Sequence, residues 1–532
     1  MSGAPFERHA RNVASLTVVS RVLGLARDAL FSRVFGDASA MSAFFTAFII
    51  PNVFRRLFGE GALSAAFIPE YATLVERDPS LAQRFASLTV AMLIAALGAL
   101  TLLIMGALAA LRWLTPLGES GAMVLELAMV MLPFMPLVCL TAIAGGMLQT
   151  HGRFAPHAGA PIGLNLCMIA GATVWGVALG RDASQSVRAV SVSVVIAGLV
   201  QLAWALYALR AHVRWTRARD GARDAVMRML RRLGPVIIGM GALQLGTLAD
   251  ALIAGWPVIV GTRVPGIDRP YPLDESSASR IYYAQRLYQF PLGVFGVAIA
   301  TAVFPVLSRE SGDGARFART LRRGLRLCLF LGVPASVGLI LVRETLTRTL
   351  YAGGEFGAAE TEAVARIVAG YGLSVWAYMT VLLLTRAFYA RGDMSIPMRT
   401  GLATLAINIA LSVTLIWWVG ELGIALSTAF GAIAQCVALI VIARTRLVAG
   451  ALFDPSTTRA AVETLLMAIV MGACVAAIDG AWSIHPETGT WAESALKLGV
   501  MTCSGGVVYL GLALARRREE LLWLVRRDYP TD

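Results

Sequence analysis

An all-α integral membrane protein with about fourteen transmembrane helices is the fold class this sequence predicts. Three observations carry the prediction. The 532 residues are 57% hydrophobic and only 15% charged, with mean hydropathy +0.69. The apolar residues fall in blocks of roughly 20 or more, the length a helix needs to cross the hydrocarbon. The connections between blocks alternate between arginine-rich and acidic or mixed along the whole chain. A backbone in lipid must satisfy its own hydrogen bonds, so the blocks are helices, and the Gly and Pro within them are usual for membrane spans.

In chain order the spans fall near 11–34, 39–72, 84–111, 122–150, 157–180, 188–210 and 234–260. They continue near 279–308, 322–343, 362–390, 397–419, 421–444, 458–480 and 493–515. The second and eighth are long and interrupted, by Pro51, Gly59 and Gly61 and by Pro291, Gly293 and Gly296. Pro removes a backbone donor and Gly loosens a helix, so both places are candidate hinges, with Glu60 inside the first. Even-numbered connections carry Arg77 and Arg84, His151 and Arg153, Arg210 to Arg232, Arg309 to Arg326, Arg391 and Arg399, and Arg444 to Arg459. Odd-numbered ones carry Asp37, Glu119, Asp182, the 268–275 loop, Glu355, Glu421 and Asp479. By the positive-inside rule both termini are cytoplasmic. The segment 210–232 reads as an arginine-rich surface helix lying at anionic headgroups.

The net charge of +13 is almost entirely arginine, with Lys497 the sole lysine. In a soluble chain it would suggest nucleic acid; here topology accounts for it. Cys139, Cys167, Cys328, Cys436, Cys474 and Cys503 lie scattered in apolar spans without a CxxC pair, and read as small hydrophobic residues. The first apolar stretch carries Arg21, Arg27 and Asp28, and reads as a retained span rather than a cleaved signal. No P-loop, HExxH or GxSxG motif occurs, and the five histidines show no ligand spacing, so neither an ATP-driven pump nor a metal enzyme is expected.

Two local patterns recur six spans apart. Phe58-Gly59 before Ala66-Phe67-Ile68-Pro69 echoes Phe295-Gly296 before Val303-Phe304-Pro305. Gly152 to Pro156 leading to Asn165 echoes Gly392 to Pro397 leading to Asn408. The expected organisation is therefore two pseudo-symmetric six-helix lobes, 1–215 and 216–450, followed by two extra C-terminal spans and a cytoplasmic tail over 451–532.

Charges inside spans are the strongest functional signal. A charged side chain at the centre of a bilayer helix costs about 2.5–3.5 kcal/mol on insertion scales, so several together point to a cationic chamber and an anionic passenger. In the first span Arg21, Gly24 and Asp28 share a face, while Arg27 points elsewhere but has a stem long enough to reach round. Arg27 and Asp28 fit a structural ion pair as well as a substrate site. In the second span Asn52, Arg55 and Arg56 follow Pro51; of the two arginines, one is expected to face the chamber and the other to pair with Glu60 or Glu70. In the eighth, Tyr282, Arg286 and Gln289 lie on one face, and a guanidinium between a phenol and an amide suits phosphate. Asp250, a lone acid in the seventh span, fits a coupling cation or proton and an ion pair with arginine equally.

Four motifs together resemble one family. They are Ser20-Arg21-Val22-Leu23-Gly24-Leu25-Ala26-Arg27-Asp28, Pro51-Asn52-x-x-Arg55-Arg56-Leu57-x-x-Glu60-Gly61-Ala62, Tyr282-Tyr283-Ala284-x-Arg286-Leu287 and Phe388-Tyr389-Ala390-Arg391-Gly392-Asp393. They resemble the MurJ (MviN) family of lipid II flippases, within the multidrug/oligosaccharidyl-lipid/polysaccharide exporter superfamily, over essentially the whole chain. The resemblance implies two six-helix lobes around a cationic cavity in a monomer. Its substrate would be lipid II, the undecaprenyl-diphosphate-linked disaccharide-peptide precursor of peptidoglycan, handed on to cell-wall synthesis. Arg21, Arg27, Arg55 and Arg286 would meet the diphosphate, and the last two spans would line a groove for the polyprenyl tail. Coupling to sodium, protons or the membrane potential is implied, with Asp250, Asn408 and Thr428 matching a sodium site of some relatives. The chain departs from the pattern at Ser42, Gln285, Gln289 and Ser412, where some relatives carry acids. An exporter of drugs or of another polyprenyl-linked glycan, a membrane glycosyltransferase and an envelope scaffold are the rival readings.

Overall fold

The structure, a computed structural model, describes residues 3–56, 62–266, 269–448, 452–482 and 489–525. The expected hinge residues Gly59, Glu60 and Gly61 lie outside them. Among the described residues nineteen α-helices run α1 (Gly3–Phe35), α2 (Ser39–Phe54), α3 (Ala62–Arg77), α4 (Pro79–Leu114), α5 (Glu119–Met131), α6 (Phe134–Thr150), α7 (Ala155–Ala172), α8 (Ala183–Leu209) and α9 (Ala222–Ile259). They continue α10 (Ser277–Pro291), α11 (Val297–Arg309), α12 (Gly314–Tyr351), α13 (Ala358–Gly372), α14 (Val375–Ala390), α15 (Ser395–Val419), α16 (Leu422–Arg446), α17 (Pro455–Ala481), α18 (Trp491–Ala515) and α19 (Glu519–Val525). Between α9 and α10 a two-residue antiparallel pair, β1 (Arg263–Val264) with β2 (Arg269–Pro270), folds the loop back on itself.

The chain is a multi-pass membrane protein. Among the described residues ten helical segments are long and apolar enough to cross a membrane, and the α13–α14 pair, bent by 42°, makes an eleventh. The remaining expected spans fall on α1, on α2 with α3, and on α9, which are all helical. Each escapes a simple apolar count for a physical reason. α1 carries Arg21, Arg27, Asp28 and Arg33. α2 and α3 have 16 residues each, too short to span separately. α9 begins as an arginine-rich helix and is apolar only over Leu245–Ile259.

Helix starts outside the apolar blocks are set by aspartates. Asp78, Asp182, Asp313 and Asp454 accept backbone N–H bonds at the first turns of α4, α8, α12 and α17. Hydrogen bonds from the Ser80 hydroxyl to Asp78, and from the Arg316 N–H to Asp313, hold both carboxyls below their ordinary range. Pro291 closes α10, and 292–296 continue as a π-helical stretch into α11, so Gly293 sits at a widened turn. Pro51 is buried within α2.

Two compact units divide the chain, Met1–Ser279 and Arg280–Asp532, so the division falls inside α10. In the first unit α7 packs on α1 and α8, α2 on α5 and α9, and α3 on α6 and α9. The expected lobe boundary at 215/216 precedes α9, which here packs with the helices before it. One reason is electrostatic: Glu70 of α3 takes Arg228 at 2.7 Å and Arg232 at 3.5 Å from α9. Another is close approach, since a Cβ on Gly255 would stand 2.8 Å from Thr46 Oγ1 of α2. In the second unit α12 packs on α13, α14, α17 and α18, and α15 on α16.

The segment 210–232 differs from the expected surface helix. α8 ends at Leu209, residues 213–219 have no helical structure, and α9 starts after Gly221 in the left-handed region, φ 71°. The Thr216 N–H donates to Ser87 Oγ at 3.0 Å, which pins the extended stretch to α4.

Candidate functional site

In the first unit the charged turn of α1 meets α7. Arg27 is 4% exposed and Asp28 1%. Arg27 donates to Asp28 Oδ1 from Nε at 3.0 Å and from Nη2 at 2.6 Å. Its remaining nitrogen, Nη1, donates to Asn165 Oδ1 of α7 at 3.1 Å. Asn165 Nδ2 in turn donates to the Ser20 carbonyl at 3.2 Å, and the Arg27 guanidinium lies 5.7 Å from the Phe31 ring centroid. The sequence puts adjacent residues about 100° apart on a helix, yet the arginine stem reaches round to its neighbour. A buried guanidinium needs a counter-charge and filled donors; Asp28 supplies the first and Asn165 helps with the second. Asn165 is named by the sequence only as part of a repeat. Its signal as a partner is that it is a polar residue inside an apolar span. Arg21, two turns earlier, is on the exposed surface of α1.

At the end of α2, Asn52 Oδ1 accepts from Arg55 Nε at 3.2 Å and Nη2 at 3.1 Å, so the asparagine orients the guanidinium. Arg55 and Arg56 are both half-buried. Glu70, an expected partner for one of them, receives Arg228 and Arg232 from α9. Ser42, where some relatives have an acid, is fully buried and accepts the Ser279 N–H at 3.0 Å in the first turn of α10. Asp250 is buried on α9.

In the second unit α10 presents Tyr282 and Arg286. Arg286 Nη2 donates to the Tyr282 hydroxyl at 2.6 Å, and its guanidinium carbon stands 4.8 Å from the centre of the same ring. The i, i+4 spacing thus produces the expected phenol–guanidinium pair. Gln289, a turn further on, is half-buried. Gln285 donates to the Tyr371 hydroxyl of α13 at 3.1 Å, and Tyr371 stacks on Tyr288 at 4.6 Å, so that amide ties α10 to α13.

Asn408 and Thr428 meet where α15 packs on α16. Asn408 Nδ2 donates to Thr428 Oγ1 at 3.2 Å and to Ser427 Oγ at 3.3 Å, and the Ser412 and Ser427 hydroxyls are 2.5 Å apart. The cluster is buried, neutral and hydrogen-bonded within itself. Among the described residues no group of three His, Cys, Asp or Glu is placed to hold a metal ion.

Comparison with known proteins extends these local likenesses. A family model described as "Lipid II flippase MurJ" matches residues 31–501. A probable lipid II flippase MurJ of Rhizobium tropici is 32% identical over 503 residues, covering 92% of this chain and 90% of its own. One from Vibrio cholerae is 32% identical over 440 residues, 79% of each. The solved structure of a lipid II flippase MurJ in an inward closed conformation superposes with TM-score 0.78 at 22% identity, covering 97% of this chain and 99% of that one. An inward-facing multidrug MATE transporter of the MOP superfamily shares the fold at TM-score 0.62 and 13% identity, over 82% of this chain and 98% of its own. These relatives are named as flippases and a transporter, not as enzymes.

Proposed function

The chain belongs to the lipid II flippase MurJ family, and from that premise we propose that it moves lipid II from the inner to the outer leaflet of the cytoplasmic membrane. The observation that carries this reading is the match in sequence over residues 31–501 and in fold along nearly the whole chain.

On this reading the arginines of α1, α2 and α10 receive the diphosphate in a central cationic cavity. Guanidinium suits the task because it stays charged at all working pH and binds phosphate through paired charge-assisted hydrogen bonds. Asn52 and Tyr282 orient Arg55 and Arg286 for it. Alternating access follows: headgroup binding offsets the mutual repulsion of the arginines, the lobes close on one side, and the other side opens to release. On the same reading the proline turns at Pro51 and at Pro291–Gly293 are the hinges. The polyprenyl tail stays in lipid along α17 and α18, and no covalent bond changes. An inside-negative potential favours outward movement of negative charge by about 2.3 kcal/mol per charge per 100 mV, enough to drive the cycle. Sodium at Asp250, Asn408 and Thr428, or a proton at Asp250, is the alternative coupling.

The test is lipid II headgroup exposure in sealed vesicles carrying the native chain or Arg286→Ala. Exposure by the native chain alone supports both the activity and the arginine's role. Equal exposure by both removes Arg286 from the site. Transport of a different polyprenyl-linked glycan in place of lipid II overturns the substrate.

A further inference from the structure

The short helix α19 and the turn before it bring two buried charges, Glu520 and Arg518, against neighbouring helices. α19 has seven residues, too few for a stable helix by itself. It follows α18 through a turn in which Arg517 takes φ 49°, in the left-handed region, and the Arg518 N–H bonds back to the Ala513 carbonyl at 2.9 Å. A non-glycine residue in that conformation persists only when its surroundings hold it.

The surroundings are an ionic ladder. Glu520 is fully buried and Arg518 is 6% exposed. Arg518 donates to Glu520 from Nε at 3.0 Å and Nη2 at 2.9 Å, and to the Ala460 carbonyl of α17 at 3.2 Å. It also pairs with Glu463 of α17, which receives Arg459 at 2.9 Å. From α12, Arg326 reaches Glu520 at 2.7 Å and Glu519 at 3.2 Å. The Trp523 ring takes the guanidinium carbons of Arg326 and Arg323 at 4.9 and 5.6 Å from its centroid. Further along the same helices the contact is apolar. Phe330 of α12 packs with Met467, Ala468 and Met471 of α17 and Tyr509 and Ala513 of α18, and the Tyr509 hydroxyl donates to the Phe330 carbonyl at 2.7 Å.

We propose that α19 is an ionic clasp that fastens the α17–α18 hairpin to α12, so that the two extra spans and α12 move as one body. An apolar face alone lets membrane helices slide, since lipid tails are as apolar as the partner helix. The buried rungs permit one register, because breaking the contacts of Glu520 or Arg518 strands a buried charge. Its role in transport rests on the flippase reading above: a tail groove on α17 and α18 would follow α12 through the cycle.

The test uses the full chain in lipid nanodiscs, native and with Glu520→Ala, Arg326→Ala or both, read by amide hydrogen exchange. Each single change is expected to raise exchange of 516–525 and of the first turns of α17 at least tenfold and to leave α15 and α16 unchanged. The double change is expected to add little to either single one. Unchanged exchange, or fully additive effects, overturns the clasp. Should the single variants fail to fold, Glu519→Ala, at the exposed rim of the ladder, is expected to raise exchange of 516–525 about threefold, and no rise overturns the clasp. The clasp is judged by exchange whatever the vesicle assay finds. With headgroup exposure established for the native chain, Glu520→Ala is expected to slow it several-fold, and an unchanged rate overturns the coupled movement.

Discussion

Arg27 in the first compact unit and Arg286 in the second both carry a permanent charge into a span, but their contacts run in different directions. Arg27 is gripped by its neighbour Asp28 and, through Asn165, by a different helix. Arg286 is steadied by Tyr282 one turn back on its own helix, through both hydroxyl and ring. The first arrangement joins α1 to α7, and its loss is felt as stability. The second sets the direction of one side chain along its own helix. Arginine in a span is therefore not one kind of signal: Arg27 is buried and bonded to a second helix, whereas Arg286 is half-buried and pairs along its own helix.

The largest effect that would sharpen this contrast comes from Asp28→Ala, which leaves a buried guanidinium without its carboxylate. We expect a loss of about 3–5 kcal/mol, read by thermal unfolding of the purified protein in detergent. A loss below about 1 kcal/mol would break the comparison, because the pair would then not be structural. Asn165→Ala removes that side chain's two bonds to α1 and keeps the ion pair, and is expected to cost about 1–3 kcal/mol in the same measurement.

Tyr282→Phe keeps the ring against Arg286 and removes the hydroxyl. Stability should change by about 1 kcal/mol or less, while lipid II headgroup exposure falls several-fold. The reverse pattern, large destabilisation with full transport, would place Arg286 with Arg27. The smallest effect is expected from Gly24→Ala. The added Cβ would stand 3.7 Å from Asn165 Nδ2, an ordinary contact, so unfolding should move by no more than about 0.5 kcal/mol. A marked loss there would mean that tight packing, rather than the polar bonds of Asn165, joins the two helices.

How much was legible differs by residue. The phenol–guanidinium pair on α10 follows from i, i+4 spacing, which any helix obeys. The bond between Arg27 and Asp28 does not, since helical angles separate adjacent residues and only the flexible stem closes the gap. Glu70 shows the limit most plainly. Its sequence neighbours include Arg55 and Arg56, but Arg228 and Arg232 arrive from α9, more than 150 positions away. The charges of 210–232 suggested a surface helix, and they lie instead on an extended stretch pinned to α4 and on the first turns of α9.

Composition and block length alone determined that this chain lies in a membrane as helices, because lipid offers the backbone no other hydrogen-bond partner. Arginine in apolar blocks marked helices that must supply it with partners, because a buried charge is too costly to be left alone. Which arginine reaches Glu70 or Glu520 from another helix was decided only by tertiary packing. So were the grouping of α9 with the helices before it and the ladder that gathers Arg326, Glu463, Arg518 and Glu520. Those contacts join residues far apart in the chain, and only the close approach of helices brings such side chains within hydrogen-bond reach.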